Sequence, residues 1–320
     1  MKGDISMPSF SDFTFASSTG KNHIHARQCM PDGAPRAVLQ IAHGIAEHID
    51  RYDDFAAFLA QNGILVVGND HLGHGKSISA PEDLGFFADD KGWDYVVQDM
   101  DKLHDLMKAD YPNLPYIFFG HSMGSFLTRT YIIKHPEKPD LVILSGTGHQ
   151  SRALVYSGYA MAEAIVRAKG PRADGRLLND LAFGAYNKKV PFPMTDFDWL
   201  SQDHEMVRKY INDPLCGFVA KASLYRDMMG GIRFVTDQKN IDAMNKDTPV
   251  YFMSGDKDPV GDYGKGVERA YKAFCRAGLR DVFMRLYPDG RHEMLNELNR
   301  QQVYQDVLDW IEPRLKTLHK

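Results

Sequence analysis

Gly120, His121, Ser122, Met123 and Gly124 form a G-x-S-x-G pentapeptide after the apolar run 115–119 and before a helix-compatible stretch, 125–133. A strand, a sharp turn carrying one serine, then a helix is the setting in which this pentapeptide makes a nucleophile. The turn is too tight for side chains beside the serine, which explains the glycines. It also aims the first N–H groups of the helix at the point the serine occupies. Ser122 is therefore the candidate nucleophile of a hydrolase or acyltransferase. Alone the pentapeptide is weak, because a chain of this length holds one by chance with a probability of about 0.1. A nucleophilic serine also needs a base, an acid to orient the base, and a second N–H donor for the oxyanion.

Each of these has a candidate at the end of a predicted strand. The run 250–253 leads into Ser254-Gly-Asp-Lys-Asp-Pro259, where Asp256 and Asp258 both qualify as the acid. Asp258 is preferred because Pro259 keeps the backbone there extended, whereas Asp256 suits a turn former. His292, in the loop after the predicted strand Val282–Tyr287, is the candidate base. The order Ser–Asp–His differs from the orders of chymotrypsin-like and subtilisin-like enzymes. After the predicted strand Ala37–Ala42 comes His43-Gly44-Ile45, so the backbone N–H groups of Ile45 and Met123 are the candidate oxyanion hole. His43, His121, Phe192 and Trp199 are candidate substrate contacts.

The elements that must position these groups follow a regular beat. Two polar-apolar alternations, 10–16 and 23–28, flank a turn and predict an antiparallel hairpin at a sheet edge. Apolar strands at 37–42, 64–68, 115–119, 141–144, 250–253 and 282–287 alternate with helices at 51–61, 93–109, 125–133, 263–277 and 300–315. Such alternation predicts an α/β fold with a mostly parallel sheet and helices on both faces. Between 147 and 226 the beat breaks into helix formers, aromatics and prolines. There 151–168 predicts an amphipathic helix with Leu154, Met161 and Ile165 on one side, and 191–199 an irregular aromatic loop. The expected organisation is a core of 1–146 and 227–320 with a helical cap inserted at 147–226.

Bulk properties narrow the function classes. The chain has 320 residues, 43% hydrophobic and 25% charged, with a net charge of −4. That is a soluble globular balance with no basic surface to attract nucleic acid. Three widely spaced cysteines argue against a disulfide framework. Residues 1–8 lack the apolar core of a signal peptide, and no stretch approaches the length of a membrane span. A reduced, cytoplasmic protein is expected, with transient contact with a membrane surface left open and no oligomeric state specified. Asp70, His71 and His74 join His43, His48 and His121 in a histidine-dense patch. Its spacings fit no compact zinc motif. Asp70, His71 and His74 are expected to knit two sheet-edge loops together by hydrogen bonds, and no metal is expected.

Together, His43-Gly-x-x-Glu47-His48, Asp70-His-x-Gly-His-Gly-x-Ser77, Gly120-His-Ser-Met-Gly124, Gly255-Asp-Lys-Asp258 and Gly290-Arg-His292-Glu293 resemble one family. It is the α/β-hydrolases of the monoacylglycerol lipase and bacterial lysophospholipase type, grouped with serine aminopeptidases. The resemblance implies the α/β-hydrolase fold, a triad of Ser122, Asp258 and His292, an oxyanion hole from Ile45 and Met123, no cofactor, and a small-molecule ester substrate. Asp258 is the acid that matches its G-x-x-D pattern. The segments 184–189, 195–200 and 213–218 look like those of bacterial relatives described as lysophospholipases rather than animal monoglyceride lipases. The expected activity is hydrolysis of lipophilic esters, monoacylglycerol or lysophospholipid, in an aromatic and methionine-bearing cap. A peptidase on the same fold would instead need an acidic anchor for a free amine, for which Glu163, Asp196, Asp198 and Asp203 are candidates. A non-catalytic binding protein of this fold would have no need of a base aligned to a serine.

Overall fold

The computed structural model describes residues 8–318. The segment 1–8, in which no signal peptide is expected, lies outside the described residues but for Pro8. The chain runs β1 (Ser9–Ala16), β2 (His23–Met30), β3 (Ala37–Ala42), α1 (Asp53–Gln61), β4 (Ile64–Asn69), α2 (Gly92–Asp110), β5 (Tyr116–His121), α3 (Met123–Lys134) and β6 (Leu141–Ser145). Helices α4 (Arg152–Lys169), α5 (Arg176–Phe183), α6 (His204–Asn212), α7 (Ala222–Thr236) and α8 (Gln238–Ile241) follow, then β7 (Val250–Gly255), α9 (Lys265–Arg276), β8 (Val282–Tyr287) and α10 (Arg300–Leu318).

The eight strands form one sheet in the order β1-β2-β4-β3-β5-β6-β7-β8. The β1–β2 hairpin pairs antiparallel at the edge, as its alternation predicts, and β2 also pairs antiparallel with β4. From β4 to β8 the pairing is parallel. Central strands are buried on both faces because successive side chains point to opposite sides. Val38, Phe118, Val142 and Phe252 pack with Val96, Leu127 and Phe274 of α2, α3 and α9. Their neighbours Leu39, Phe119, Ile143 and Tyr251 pack with Phe55, Leu59, Val307 and Ile311 of α1 and α10. Because β3, β5, β6, β7 and β8 run parallel, the loops after them open at one edge of the sheet. That edge carries every residue expected to do chemistry.

Among the described residues, the stretch from β6 to β7 holds no strand, only an isolated bridge between Asp174 and Lys221. Helix α7 runs unbroken across position 226 and packs on α2, α3 and α4. In α4 the buried side is Val155 and Ala162, while Leu154 and Met161 are exposed. The helix itself was expected, but the face expected for it, Leu154, Met161 and Ile165, is not the one it buries, because the helix carries more apolar residues than positions that face the core.

Gly124 is the tightest point of this framework, since a Cβ there collides with the carbonyl of Ala42 and lies 2.5 Å from that of His43. Gly124→Ala is expected to lower stability by about 1–3 kcal/mol through overpacking against backbone that has no room to retreat. Thermal or denaturant unfolding measures this, and an unchanged midpoint contradicts it.

Candidate active site

Ser122 sits between β5 and α3 with φ 53° and ψ −120°. A positive φ in a residue with a Cβ costs on the order of 1–3 kcal/mol and persists only when its surroundings enforce it. Here the Ser122 N–H donates to Ser145 O at 2.9 Å, tying the turn to β6. The Ser122 carbonyl accepts from the Ser125 N–H at 2.9 Å and the Ser125 hydroxyl at 2.6 Å. A side chain on Gly120 would collide with Thr128 and crowd the Gly124 carbonyl. The glycines expected from the pentapeptide are thus required by sterics, and Ser122 remains half-buried at the sheet edge.

Asp258 and His292 meet although they are separated by 34 positions: His292 Nδ1 lies 3.0 Å from Asp258 Oδ1. The Asp258 carboxylate is fully buried and also accepts from the Val260 N–H at 2.9 Å and the Ser254 hydroxyl at 3.0 Å. Burial alone raises its pKa, but the His292 charge and these hydrogen bonds outweigh burial and hold it below the usual value. Asp256 instead accepts the Asp289 N–H at 2.8 Å, bracing the loop after β8 rather than its own turn. For His292, burial disfavours the charged form, yet the charge and hydrogen bond of Asp258, then Glu293 and Glu47, raise its pKa above the ordinary histidine value. With Nδ1 directed to Asp258, Nε2 is left for the cavity that His292 and Ser122 both line. Trp199 packs on the imidazole at 5.1 Å between ring centroids, and His121 lies against it at 4.7 Å.

The loop after β3 is fixed from two sides. His43 is wholly buried, and its Nε2 accepts the His71 N–H at 3.0 Å. An accepting Nε2 carries no proton, so the proton is on Nδ1, which donates to the Gly44 carbonyl at 2.7 Å. No peptide among the described residues is cis, so fixing the Gly44 carbonyl fixes the opposed direction of the Ile45 N–H. On the other side the Gly44 N–H donates to Glu47 Oε1 at 2.5 Å. A Cβ on Gly44 would lie 3.2 Å from Ser122 Cβ, so this glycine lets the loop close on the serine. Among the described residues, no protein acceptor takes the N–H of Ile45 or of Met123. Of Asp70, His71 and His74, expected to bridge the two loops, Asp70 and His71 do so, whereas His74, among the described residues, bonds only the Leu72 carbonyl of its own loop. His71 lies 3.2 Å from the His43 carbonyl, and Asp70 accepts from the Ile49 and Lys76 N–H groups at 2.9 and 2.8 Å.

Two cavities meet at Ser122. One, of about 410 Å³, is lined by His121, His292, Trp199 and Phe197. The other, of about 960 Å³, runs under α4 and α7 past Met123, Phe126, Val155, Leu178 and Met228. Of the expected substrate contacts, His121 and Trp199 reach a cavity. Two expectations need correction. His43 lines neither cavity, because both its ring nitrogens are committed to backbone. Phe192 is 96% exposed, with φ 49°, and also lines neither. Pro191 and Pro193 on either side of it lack the N–H groups that would tie the segment down. Sequence reasoning missed Arg51, whose partners Glu47 and Glu293 lie in the quoted motifs. A salt bridge spanning 242 positions leaves no local signal.

Residues 33–299 match the family described as serine aminopeptidase, S33. A monoacylglycerol lipase of Mycolicibacterium smegmatis is 30% identical over 285 residues, covering 88% of this chain and 90% of that protein. Human monoglyceride lipase is 26% identical, covering 92% and 88%. A thermostable carboxyl esterase from Bacillus coagulans, solved in complex with glycerol, superposes with a TM-score of 0.89 at 29% identity, covering 96% of this chain and 99% of that one.

The electrostatics of the site give a direct expectation. His292 titrates above the ordinary histidine range, whereas burial and then the His292 charge push His121 down to about 4. Asp258→Asn removes the largest charge that favours the imidazolium, so the His292 pKa falls in that variant. Imidazole ¹⁵N NMR reads both; a His292 pKa unmoved by the substitution contradicts this account.

Proposed function

The chain belongs to the serine aminopeptidase S33 family of α/β-hydrolases, and within it we propose that the protein is a carboxylic ester hydrolase acting on lipophilic esters. The observation that carries the reading is the placement of Ser122 where two largely apolar cavities join, beside the buried Asp258–His292 pair. In the proposed reaction His292 Nε2 takes the Ser122 proton while Asp258 holds the imidazole in its Nδ1–H tautomer. Ser122 Oγ attacks the ester carbonyl, and the N–H groups of Ile45 and Met123 hold the oxyanion. The alcohol leaves with the proton from His292, and water releases the acid from the acyl-enzyme by the same route. The similarity to the mycobacterial and human lipases supports ester hydrolysis as the reaction.

The helical stretch 147–226, continued by α7, serves as a cap over the sheet edge. The larger cavity suits an acyl chain, being walled by Phe126, Val155, Leu178, Met228 and Ile232. Leu154, Met161 and Leu181 stand exposed while lining that cavity, an apolar rim where a lipid enters. The smaller cavity suits the alcohol. Its lining includes Glu47, Asp180, Asp196 and Glu293 but no Lys or Arg. A phosphodiester calls for cationic donors, so this lining favours an uncharged alcohol such as glycerol over a lysophospholipid head group.

One observation bears on the peptidase reading. Asp203 caps α6, Asp198 accepts from Met194 and Thr195, and Glu163 pairs with Arg167, whereas Asp196 lines the smaller cavity. A panel of p-nitrophenyl esters of increasing chain length beside aminoacyl-anilides separates the readings. Long-chain esters are expected to be preferred, and Ser122→Ala to lower turnover by at least about a thousandfold. Surviving turnover would sink the mechanism, and anilide preference would favour the peptidase. A monoacylglycerol is expected to outpace the same acyl chain on glycerol phosphate; the reverse order contradicts the head-group reading.

A further inference from the structure

The 3₁₀ turn Ile49–Tyr52 carries a largely buried cation, Arg51, between two buried carboxylates. Arg51 Nη1 lies 2.5 Å from Glu47 Oε2 and 2.7 Å from Glu293 Oε1, and Nη2 lies 2.7 Å from Glu293 Oε2. The side chains are 11, 4 and 6% exposed for Arg51, Glu47 and Glu293. Neither carboxylate ends at the arginine. Glu47 Oε1 accepts the Gly44 N–H at 2.5 Å and the Tyr52 hydroxyl at 2.8 Å. Glu293 is the residue after His292, its N–H donates to Leu200 O at 2.7 Å, and its Oε2 accepts from Asn296 at 2.9 Å. One guanidinium therefore joins the loop that presents the Ile45 N–H to the loop that presents His292. It also lies over the Tyr210 ring of α6 at 4.8 Å.

We infer that Arg51 is a positioning residue for the proposed reaction, clamping the oxyanion loop to the base loop through Glu47 and Glu293. This rests on the roles proposed above for Ile45 and His292. The planar fork is what the geometry uses: bidentate to Glu293, with one nitrogen shared to Glu47, an arrangement that an ammonium cannot reproduce. The clamp also sets charge. His292 is faced by Asp258 from the loop after β7, by Glu47 from the loop after β3, by its neighbour Glu293, and by His121 at the end of β5. Arg51 neutralises one of the two glutamates. Without it both carboxylates face the imidazole unopposed and favour its charged, inactive form.

The test is the pH dependence of kcat and KM for a long-chain p-nitrophenyl ester, with the His292 titration followed by NMR. Arg51→Lys is expected to lower kcat about tenfold or more with KM little changed, because the cation is kept and the geometry lost. Arg51→Gln is expected to move the acid limb of kcat/KM, and the NMR midpoint of His292, up by at least about half a pH unit. Glu293→Gln is expected to move both down. Opposite shifts from two partners of one salt bridge are not what simple loosening of the fold produces. Should Arg51→Gln fail to fold, Glu293→Gln and Glu47→Gln carry the test, both with downward shifts. Wild-type turnover with an acid limb and His292 midpoint unmoved in the folded variants overturns the inference. Absence of ester turnover in the wild type counts against the proposed function instead, and the NMR midpoints still decide the clamp's effect on His292.

Discussion

Everything at the sheet edge depends on one strained turn. Ser122 holds a positive φ that its side chain disfavours, and nothing within the pentapeptide alone would keep it there. The strain is enforced by β6 through Ser145, by the first turn of α3 through Ser125, and by close approach of Gly124 to the backbone at Ala42 and His43. The last contact has a consequence for the chemistry. A turn that must pack on the end of β3 also brings Ser122 against Gly44, so Ser122 and the loop after β3 are placed by the same steric demand.

The parallel sheet does the remaining assembly. Strands β3, β5, β7 and β8 deliver the loop of Gly44 and Ile45, Ser122, Asp258 and His292 to one edge, from positions as far apart as 43 and 292. Two polar devices lock those loops in register. The neutral His43, held by the His71 N–H, fixes the Gly44 carbonyl, while Glu47, Arg51 and Glu293 tie the same loop to the loop of His292. Both are buried, where unpaired polar groups are costly, so each tolerates only the fully bonded arrangement. Over this rigid floor lies the helical stretch, whose Trp199 covers His292 and whose α4 and α7 wall the larger cavity.

The floor was legible in the sequence and much of the roof was not. Central strands read clearly because burial on both faces leaves continuous apolar runs, and the elbow and Asp258 were placed because each follows such a run, whereas His292 follows the half-exposed edge strand β8. The edge hairpin announced itself by alternation. Arg51 did not, since its importance lies in a partner 242 positions away. His43 was legible as part of a His-Gly loop, but only the fold reveals that its ring serves the backbone rather than the cavity. In the insert, Phe192 and the outward side of α4 have the composition of a core yet lie at the surface. Hydropathy cannot separate a residue that packs inside a cap from one that stands at a cavity rim, since both are apolar.

Trapping the serine directly tests the central claim, that the strained turn makes Ser122 a nucleophile at the junction of the two cavities. The protein would be treated with a long-chain alkyl fluorophosphonate and its peptides mapped by mass spectrometry. The account predicts a single adduct, on Ser122, forming faster with a long alkyl chain than with a short one. An enzyme that turns over esters yet carries no adduct on Ser122, or carries it elsewhere, would contradict it.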